Sequence, residues 1–397
     1  MIIVFCDSFK RYGFFKRLES ALEFEDLLVV TSDPLVYFSR SLSGGKSIFL
    51  RGTCHPELSG YTLEELEAAA SASIEVLNDE VLYDQALSEI SSSLSRLDAL
   101  FAAENITQAI VWNGQQLMGR ICTLFCKKHG IRASYLEISN LPQKLFVDNT
   151  GVNALSSVCK FPSILDGLEV VSATKHAAWK LAYVEQKKKP LPQSRVSYAQ
   201  VPVLLVNKIL KIFFRGVGDR NISYKRLQRA DQSNRFSRLI DGLYPSSGFI
   251  FFPLQVTNDT QVKLHSELDL QEAIMRALEV AKQRGKRLVI KMHPAESGIE
   301  ILDFLEEIKK DSAVFVSNAN AVDLIQRSSC VVTINSTVGL EALIFEKDLI
   351  TLGSALYQEF NQERLLKYIH GYLIDGVDVF GTTEIPKDQA LQLIEKK

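Results

Sequence analysis

The sequence predicts an α/β protein made of two strand–helix domains, each built on a parallel sheet. Three observations predict it. Short continuous apolar runs, rich in Val, Ile and Phe, recur at residues 2–5, 26–31, 108–112, 249–254, 287–290, 330–334 and 348–352. Runs without polar alternation suit strands buried on both faces of a parallel sheet. Segments of helical spacing fall between the runs, and strands that alternate with helices imply parallel crossovers. Polar clusters stand directly behind the runs, at the strand ends where such sheets bind ligands.

The first domain is expected over residues 1–165. Residues 2–5 form its first strand and end at Cys6-Asp7-Ser8. Helical spacing follows over 10–22, then strands at 26–31 and 47–50. Residues 62–71 and 82–104 read as helices with one polar face. The strand at 108–112 ends in Asn113-Gly114, a helix covers 116–128, and a strand at 133–136 ends at Glu137. Residues 166–247 break the pattern. They form a basic, partly helical connecting region with a proline-marked loop at 187–192. From Lys208 to Arg238 there are nine Lys or Arg against Asp219 and Asp231, an excess of seven positive charges. The run 203–214 is apolar with lysines interspersed. Such a segment can lie on an anionic membrane surface, guide an acidic glycan or nucleotide, or pack as a solvated helix between domains.

The second domain is expected over residues 248–375. Strands fall at 249–254, 287–290, 314–316, 330–334 and 348–352, and helices near 268–284, 298–310, 320–327 and 338–345. A last loop is expected over 351–357, and residues 376–397 form a tail with no readable pattern.

Composition bounds the function. The 397 residues suit two domains, and 46% hydrophobic residues with 23% charged supply material for sizeable cores. A net charge of −2 gives no global push toward nucleic acid. Six cysteines are scattered without disulfide-framework spacing, which fits a reducing cytoplasm. No basic-then-apolar leader opens the chain, and no apolar run reaches the ~20 residues of a membrane span. Cys122-x-x-x-Cys126-x-x-His129 invites a zinc reading, but the two cysteines fall in an apolar helical pattern that suits buried packing. No G-x-G-x-x-G and no P-loop lysine motif is present, so hydride and ATP chemistry lose support.

Three polar signatures follow strands of the second domain. Gln255 to Gln261, with Asp259, follow the first; Lys291-Met292-His293-Pro294 follow the second; Asn335-Ser336-Thr337-Val338-Gly339-Leu340-Glu341 follow the fourth. Ser336 and Thr337 open a helix, with Gly339 close behind. Hydroxyls and free N–H groups there hold a phosphate, helped by the helix dipole. Glu341, one turn on, would reach a ribose diol. His293 donates to a phosphate or carries a proton near neutral pH, and Pro294 fixes the backbone that aims it. Gln255 and Asp259 stand where a reacting sugar would lie. The plainer readings are that Ser336 and Asp259 cap helices and no more.

These residues carry a resemblance. Leu254-Gln255-Val256-x-x-Asp259-x-Gln261, Lys291-x-His293-Pro294 and Asn335-Ser336-Thr337-x-Gly339-x-Glu341-Ala342-Leu343 resemble the capsule polysaccharide transferases of the KpsS/KpsC type. Those are bacterial retaining β-Kdo glycosyltransferases that use CMP-Kdo. Tyr135-Leu136-Glu137-x-x-Asn140-Leu141-Pro142 and Phe146-Val147-Asp148-x-x-Gly151-Val152-Asn153 are similar to that family's N-terminal motif. The His-Pro and Ser/Thr elements also resemble the CMP-binding motifs of bacterial sialyl- and polysialyltransferases. The resemblance covers residues 105–160 and 248–357.

The resemblance implies a GT-B fold: two Rossmann-like domains whose parallel sheets face a central cleft, acceptor on the first and CMP-sugar on the second. It implies no metal and no cofactor, with CMP-Kdo as donor substrate and a glycan or glycolipid as acceptor. Asp259 is the first choice for the carboxylate beneath the anomeric carbon, a covalent nucleophile if configuration is retained. Glu137 is the expected acceptor-side base, and Asp148 and Asn153 would support its loop or touch substrate. His265 stands behind Asp259 or merely on the helix that follows. The expected location is the cytoplasm, peripheral on the inner face of the cytoplasmic membrane or in a polysaccharide assembly complex, with no nucleic-acid partner. The alternatives are a CMP-sialic acid or polysialic acid transferase, a UDP-sugar transferase, and a non-catalytic scaffold.

Overall fold

Twelve strands are described: β1 (Ile2–Cys6), β2 (Leu27–Thr31), β3 (Ser47–Phe49), β4 (Gln108–Trp112), β5 (Arg132–Ile138), β6 (Lys144–Asp148), β7 (Ile250–Pro253), β8 (Leu288–Lys291), β9 (Val314–Ser317), β10 (Cys330–Thr333), β11 (Asp348–Thr351) and β12 (Ile374–Asp375). The computed structural model describes residues 1–23, 27–52, 60–139, 141–187, 201–219, 235, 237–293, 296 and 298–395. The chain divides into two units. The first comprises Met1–Lys160, Lys188–Asn221 and Ile369–Lys397; the second comprises Phe161–Lys187 and Ile222–Tyr368.

The first unit is a seven-stranded sheet in the order β12-β6-β5-β4-β1-β2-β3. From β3 to β5 every pairing is parallel, as expected for continuous apolar runs. All five residues of β1 and of β2 are buried. The far edge departs from the expectation of a parallel sheet. β6 runs antiparallel to β5, and β12 antiparallel to β6. The reason is the short link between β5 and β6. A parallel return needs a crossover of a dozen or more residues, whereas a link this short permits only a hairpin. Helix Leu63–Ser71 starts in a full capping box between Thr62 and Glu65, and helix Pro34–Leu42 on the Asp33 side chain with proline in its first turn.

Several apolar residues after Ile374 belong to the first unit's core. Val377, Val379, Ile385, Ala390 and Leu393 pack with Val4, Phe14 and Leu18. Helix Lys387–Glu395 accounts for the last two of the five.

The second unit is a five-stranded, all-parallel sheet in the order β11-β10-β7-β8-β9. Its strands lie where the apolar runs predict. Ile250 and Phe252 join one core with Leu288, Ile290 and the helix Leu270–Gln283; Phe251 and Val289 join another with Leu324 and Ile325. Alternate residues of a strand therefore bury on opposite faces, so the sequence shows no polar alternation. The strand order fixes where a ligand would bind. The chain runs from β7 to β8 and β9, then crosses to β10 and β11 on the other side of β7. The reversal falls between β7 and β10, and crevices in open α/β sheets form outside the carboxyl ends of such a pair.

Candidate functional site

The loop after β7 and the loop after β10 meet at this reversal. Gln255 is buried, and its Nε2 donates to Asp259 Oδ2 and to Asn335 Oδ1, each at 3.0 Å. Its Oε1 accepts from the backbone N–H of Asn335 at 3.3 Å, and Asn335 Nδ2 donates to the carbonyl of Gln261 at 2.8 Å. The two signatures are thus one network. Asp259 caps the helix Thr260–His265, its Oδ1 accepting from Gln261 N at 2.9 Å. The capping reading of Asp259 holds for one oxygen, and the other is held by Gln255.

His293 follows β8, the strand on the other side of β7. Neighbouring strands lie ~4.8 Å apart, so the ends of β8 and β10 are separated by about 10 Å with the β7 loop between them. Glu296, which sequence reasoning overlooked, ties the β8 loop to the β7 loop. Its Oε2 accepts from Thr257 N at 2.5 Å and from Thr257 Oγ1 at 3.0 Å, and its Oε1 accepts from Gly298 N at 2.5 Å. Burial lowers the pKa of His293 below the usual imidazole value; Asp259 and Glu296 pull the other way, and Lys291 adds to the lowering. A neutral imidazole still donates one N–H. Pro294 lies outside the described residues.

Ser336 caps the helix Thr337–Ile344, its Oγ accepting from Val338 N at 3.2 Å. That uses a lone pair and leaves the hydroxyl proton to donate. Thr337, at the first helical position, is exposed. Gly339 has a packing reason that the sequence does not show. A Cβ there would stand 2.2 Å from the Tyr357 hydroxyl and 2.5 Å from its ring, and that hydroxyl donates to the carbonyl of Ser336. The expected last loop does return to the site: Gly353 N donates to the Ile334 carbonyl at 3.0 Å, and Ser354 N to the His265 carbonyl at 2.8 Å. Glu341, expected to reach a ribose, has another partner. It is buried, and Lys187 Nζ donates to its Oε1 at 2.6 Å.

In the first unit the reversal of strand order falls between β1 and β4. Arg11, absent from the sequence argument, bonds Asp7 just after β1 and Gln116 Oε1 at 3.2 Å after β4. Glu137, near the end of β5, is held by two amides: Asn113 Nδ2 donates to Oε1 at 3.0 Å and Asn153 Nδ2 to Oε2 at 3.1 Å. Burial pushes its pKa up to about 7, against the pull of Arg11 and the two amides. A carboxyl poised near neutrality suits general acid–base work. Asp148 supports the loop. Its oxygens accept from Thr150 N at 2.7 Å, Gly151 N at 3.2 Å, Ser157 N at 2.9 Å and the Tyr372 hydroxyl at 2.8 Å. Burial raises its pKa, but these hydrogen bonds outweigh burial and hold it below the usual range.

Cys122 and Cys126 are buried side by side on one helix, and His129 turns to Asp98 at 2.6 Å. A hollow of 540 Å³ in the first unit is lined by Pro34, Tyr37, Phe38, Phe49, Arg51, Arg96 and Phe214, none of them a sequence-predicted site residue.

Comparison with known proteins places these clusters in a family. The capsule polysaccharide export protein KpsS of Escherichia coli is 26% identical over 257 residues, 59% of this chain. The chain covers 63% of the length of that relative. Protein FixF of Sinorhizobium fredii is 38% identical over 114 residues, 28% of this chain and 27% of that protein. Among solved structures, a KpsC β-Kdo 2,4 transferase of Thermosulfurimonas dismutans aligns with 17% identity and a TM-score of 0.44, covering 68% of this chain and 81% of that one. The capsule polysaccharide biosynthesis protein family matches residues 108–360, which span Glu137 and all three signatures of the second unit, and the chain belongs to that family.

Proposed function

We propose that the chain is a glycosyltransferase that moves Kdo from CMP-Kdo to a glycan or glycolipid acceptor, with retention, in the making of a bacterial surface polysaccharide, capsule or lipopolysaccharide O-antigen. One observation carries the reading: His293, the Gln255–Asp259 pair and the Asn335–Ser336 turn follow three neighbouring strands at the reversal point of one parallel sheet. The donor's phosphate rests on Ser336, Thr337 and the helix start, with His293 beside it. Those groups stabilise the charge that builds on the leaving cytidylate. An Asp259 oxygen bonds the anomeric carbon as the bond to the phosphate oxygen breaks. The acceptor oxygen then displaces Asp259 from the same carbon, and the acceptor proton passes to Glu137. Two inversions give retention. No metal takes part in this scheme. The work belongs at the inner face of the cytoplasmic membrane, where such acceptors are assembled.

The test is a donor panel. With acceptor present, CMP release from CMP-Kdo, well above that from CMP-sialic acid and with none from UDP-sugars, supports the reading. Preference for another donor overturns the Kdo assignment. Failure of calorimetry to detect CMP binding overturns the enzyme reading in favour of a scaffold.

A further inference from the structure

The helix Val201–Phe213 of the first unit presents apolar residues to the outside. Its inner side is fixed: Asn207 Nδ2 donates to Asp33 Oδ2 at 2.8 Å, and Phe214, just past the helix end, meets Phe38 edge-on with centroids 5.0 Å apart. Its outer side carries Leu205, Ile209, Ile212 and Phe213, which are 55%, 56%, 77% and 75% exposed. These positions recur at helical spacing and form one stripe. An ordinary surface helix turns that stripe inward.

The helix itself carries charge of one sign. The helix holds no Asp or Glu. Lys208 and Arg215 are exposed on and just beyond it, while Lys211 is held by Asp219 at 2.7 Å. Thirteen residues rise ~20 Å, short of a bilayer's ~30 Å hydrocarbon core. No helix among the described residues is long and apolar enough to cross a membrane. An apolar stripe flanked by cations, on a helix too short to span, matches an element that lies flat in an anionic interface.

We propose that the helix Val201–Phe213 docks the protein on an anionic phospholipid surface. Leu205, Ile209, Ile212 and Phe213 enter the boundary between headgroups and acyl chains, and Lys208 and Arg215 meet lipid phosphates. None of these helix residues is assigned a part in sugar transfer, and the test does not depend on transfer.

The experiment is flotation of the full chain with vesicles of phosphatidylcholine alone or mixed with phosphatidylglycerol. The expected result is flotation with the mixed vesicles only, reversed at about 0.5 M salt, where the Debye length falls well below 10 Å. The double variant Ile209→Asp, Ile212→Asp, checked for an unchanged melting temperature, loses at least tenfold in partitioning. Separately, Phe213→Trp gives fluorescence that shifts blue and is quenched by brominated lipid chains. The proposal is overturned if the chain stays unbound, if the double variant floats like the parent, or if bound F213W is not quenched. Conversion of a dimer to a monomer by the double variant also overturns it, because the stripe would then serve a second copy.

Discussion

Gln255 donates to Asp259 Oδ2 at 3.0 Å, and the same amide nitrogen reaches Asn335 Oδ1 at 3.0 Å. One side chain therefore sets the carboxylate expected to react and the turn expected to hold phosphate. Replacing Gln255 with Ala removes one partner from each, leaving Asp259 Oδ1 on Gln261 N and Asn335 Nδ2 on the Gln261 carbonyl. A lost hydrogen bond to a charged group costs ~1.5–3 kcal/mol, so the free energy of unfolding should fall by that order and the midpoint of denaturation with it. CMP release should drop more than tenfold, because the Asp259 oxygen that faces Gln255 loses the bond that holds it. Denaturant titration and a CMP-release assay check the two outcomes.

Asp259→Asn separates capping from chemistry. Asn caps a helix about as well as Asp but cannot also accept from Gln255 Nε2, so the chain should still fold, with a modest fall in melting temperature. Transfer should vanish while CMP binding, measured by calorimetry, persists. Turnover close to that of the parent would remove Asp259 from the reaction.

Glu137 makes stability depend on pH. Its folded pKa, about 7, lies above the ordinary carboxylate value of 4.5. The folded state keeps the proton where the unfolded chain has lost it, so stability falls as pH rises through that window, by up to ~1.4 kcal/mol per pH unit. Above the upper value the effect is complete. Glu137→Gln should flatten the dependence. In the parent, transfer should rise with pH through an apparent pKa near the folded value, since a base acts deprotonated. Melting curves and rates across pH 4 to 9 read both.

His293 works in the opposite direction. Burial first, then Lys291, lowers its folded pKa below 6.5. The folded state resists the proton that the unfolded chain takes, so stability present above the ordinary value is lost as pH falls toward the folded one. A bound phosphate reverses the local charge and draws a proton to the ring. CMP binding near pH 6 should take up more protons in the parent than in His293→Ala, the phosphate's own titration being common to both, as seen from calorimetry in buffers of different ionisation enthalpy.

Gly339→Ala tests packing at the helix start. The added methyl meets Tyr357 at 2.2 Å, and overpacking of this kind costs ~1–3 kcal/mol. The melting temperature should fall, and CMP affinity with it, because the Tyr357 hydroxyl steadies the carbonyl of Ser336. Tyr357→Ala is destabilising on its own account, but in its presence the added cost of Gly339→Ala should largely vanish, as a double-mutant cycle reads.

How much was legible follows from burial and distance along the chain. The second sheet is legible because β7, β8 and β10 are buried on both faces, so a local run of apolar letters is enough to mark each strand. The polar residues behind those strands are legible for the same reason. The direction of β6 is not, since an apolar run marks a buried strand but not its sense, which depends on the short link before it. The role of residues 376–397 is hidden too, because their apolar residues pack with Phe14 and Leu18 far back in the sequence.

By itself the sequence determined the strand–helix alternation, the placing of His293, Asp259 and Ser336 just past strands, and the family. Those are local properties, set by a few consecutive residues. Only the tertiary structure decided the partners. Gln255 joins Asp259 to Asn335, Lys187 reaches Glu341 from 154 positions away, and Asn113 and Asn153 hold Glu137. A hydrogen bond between distant residues leaves no periodic trace, because it depends on the order in which strands assemble. That order puts β7 between β8 and β10, and so brings three separate signatures to one edge of the sheet.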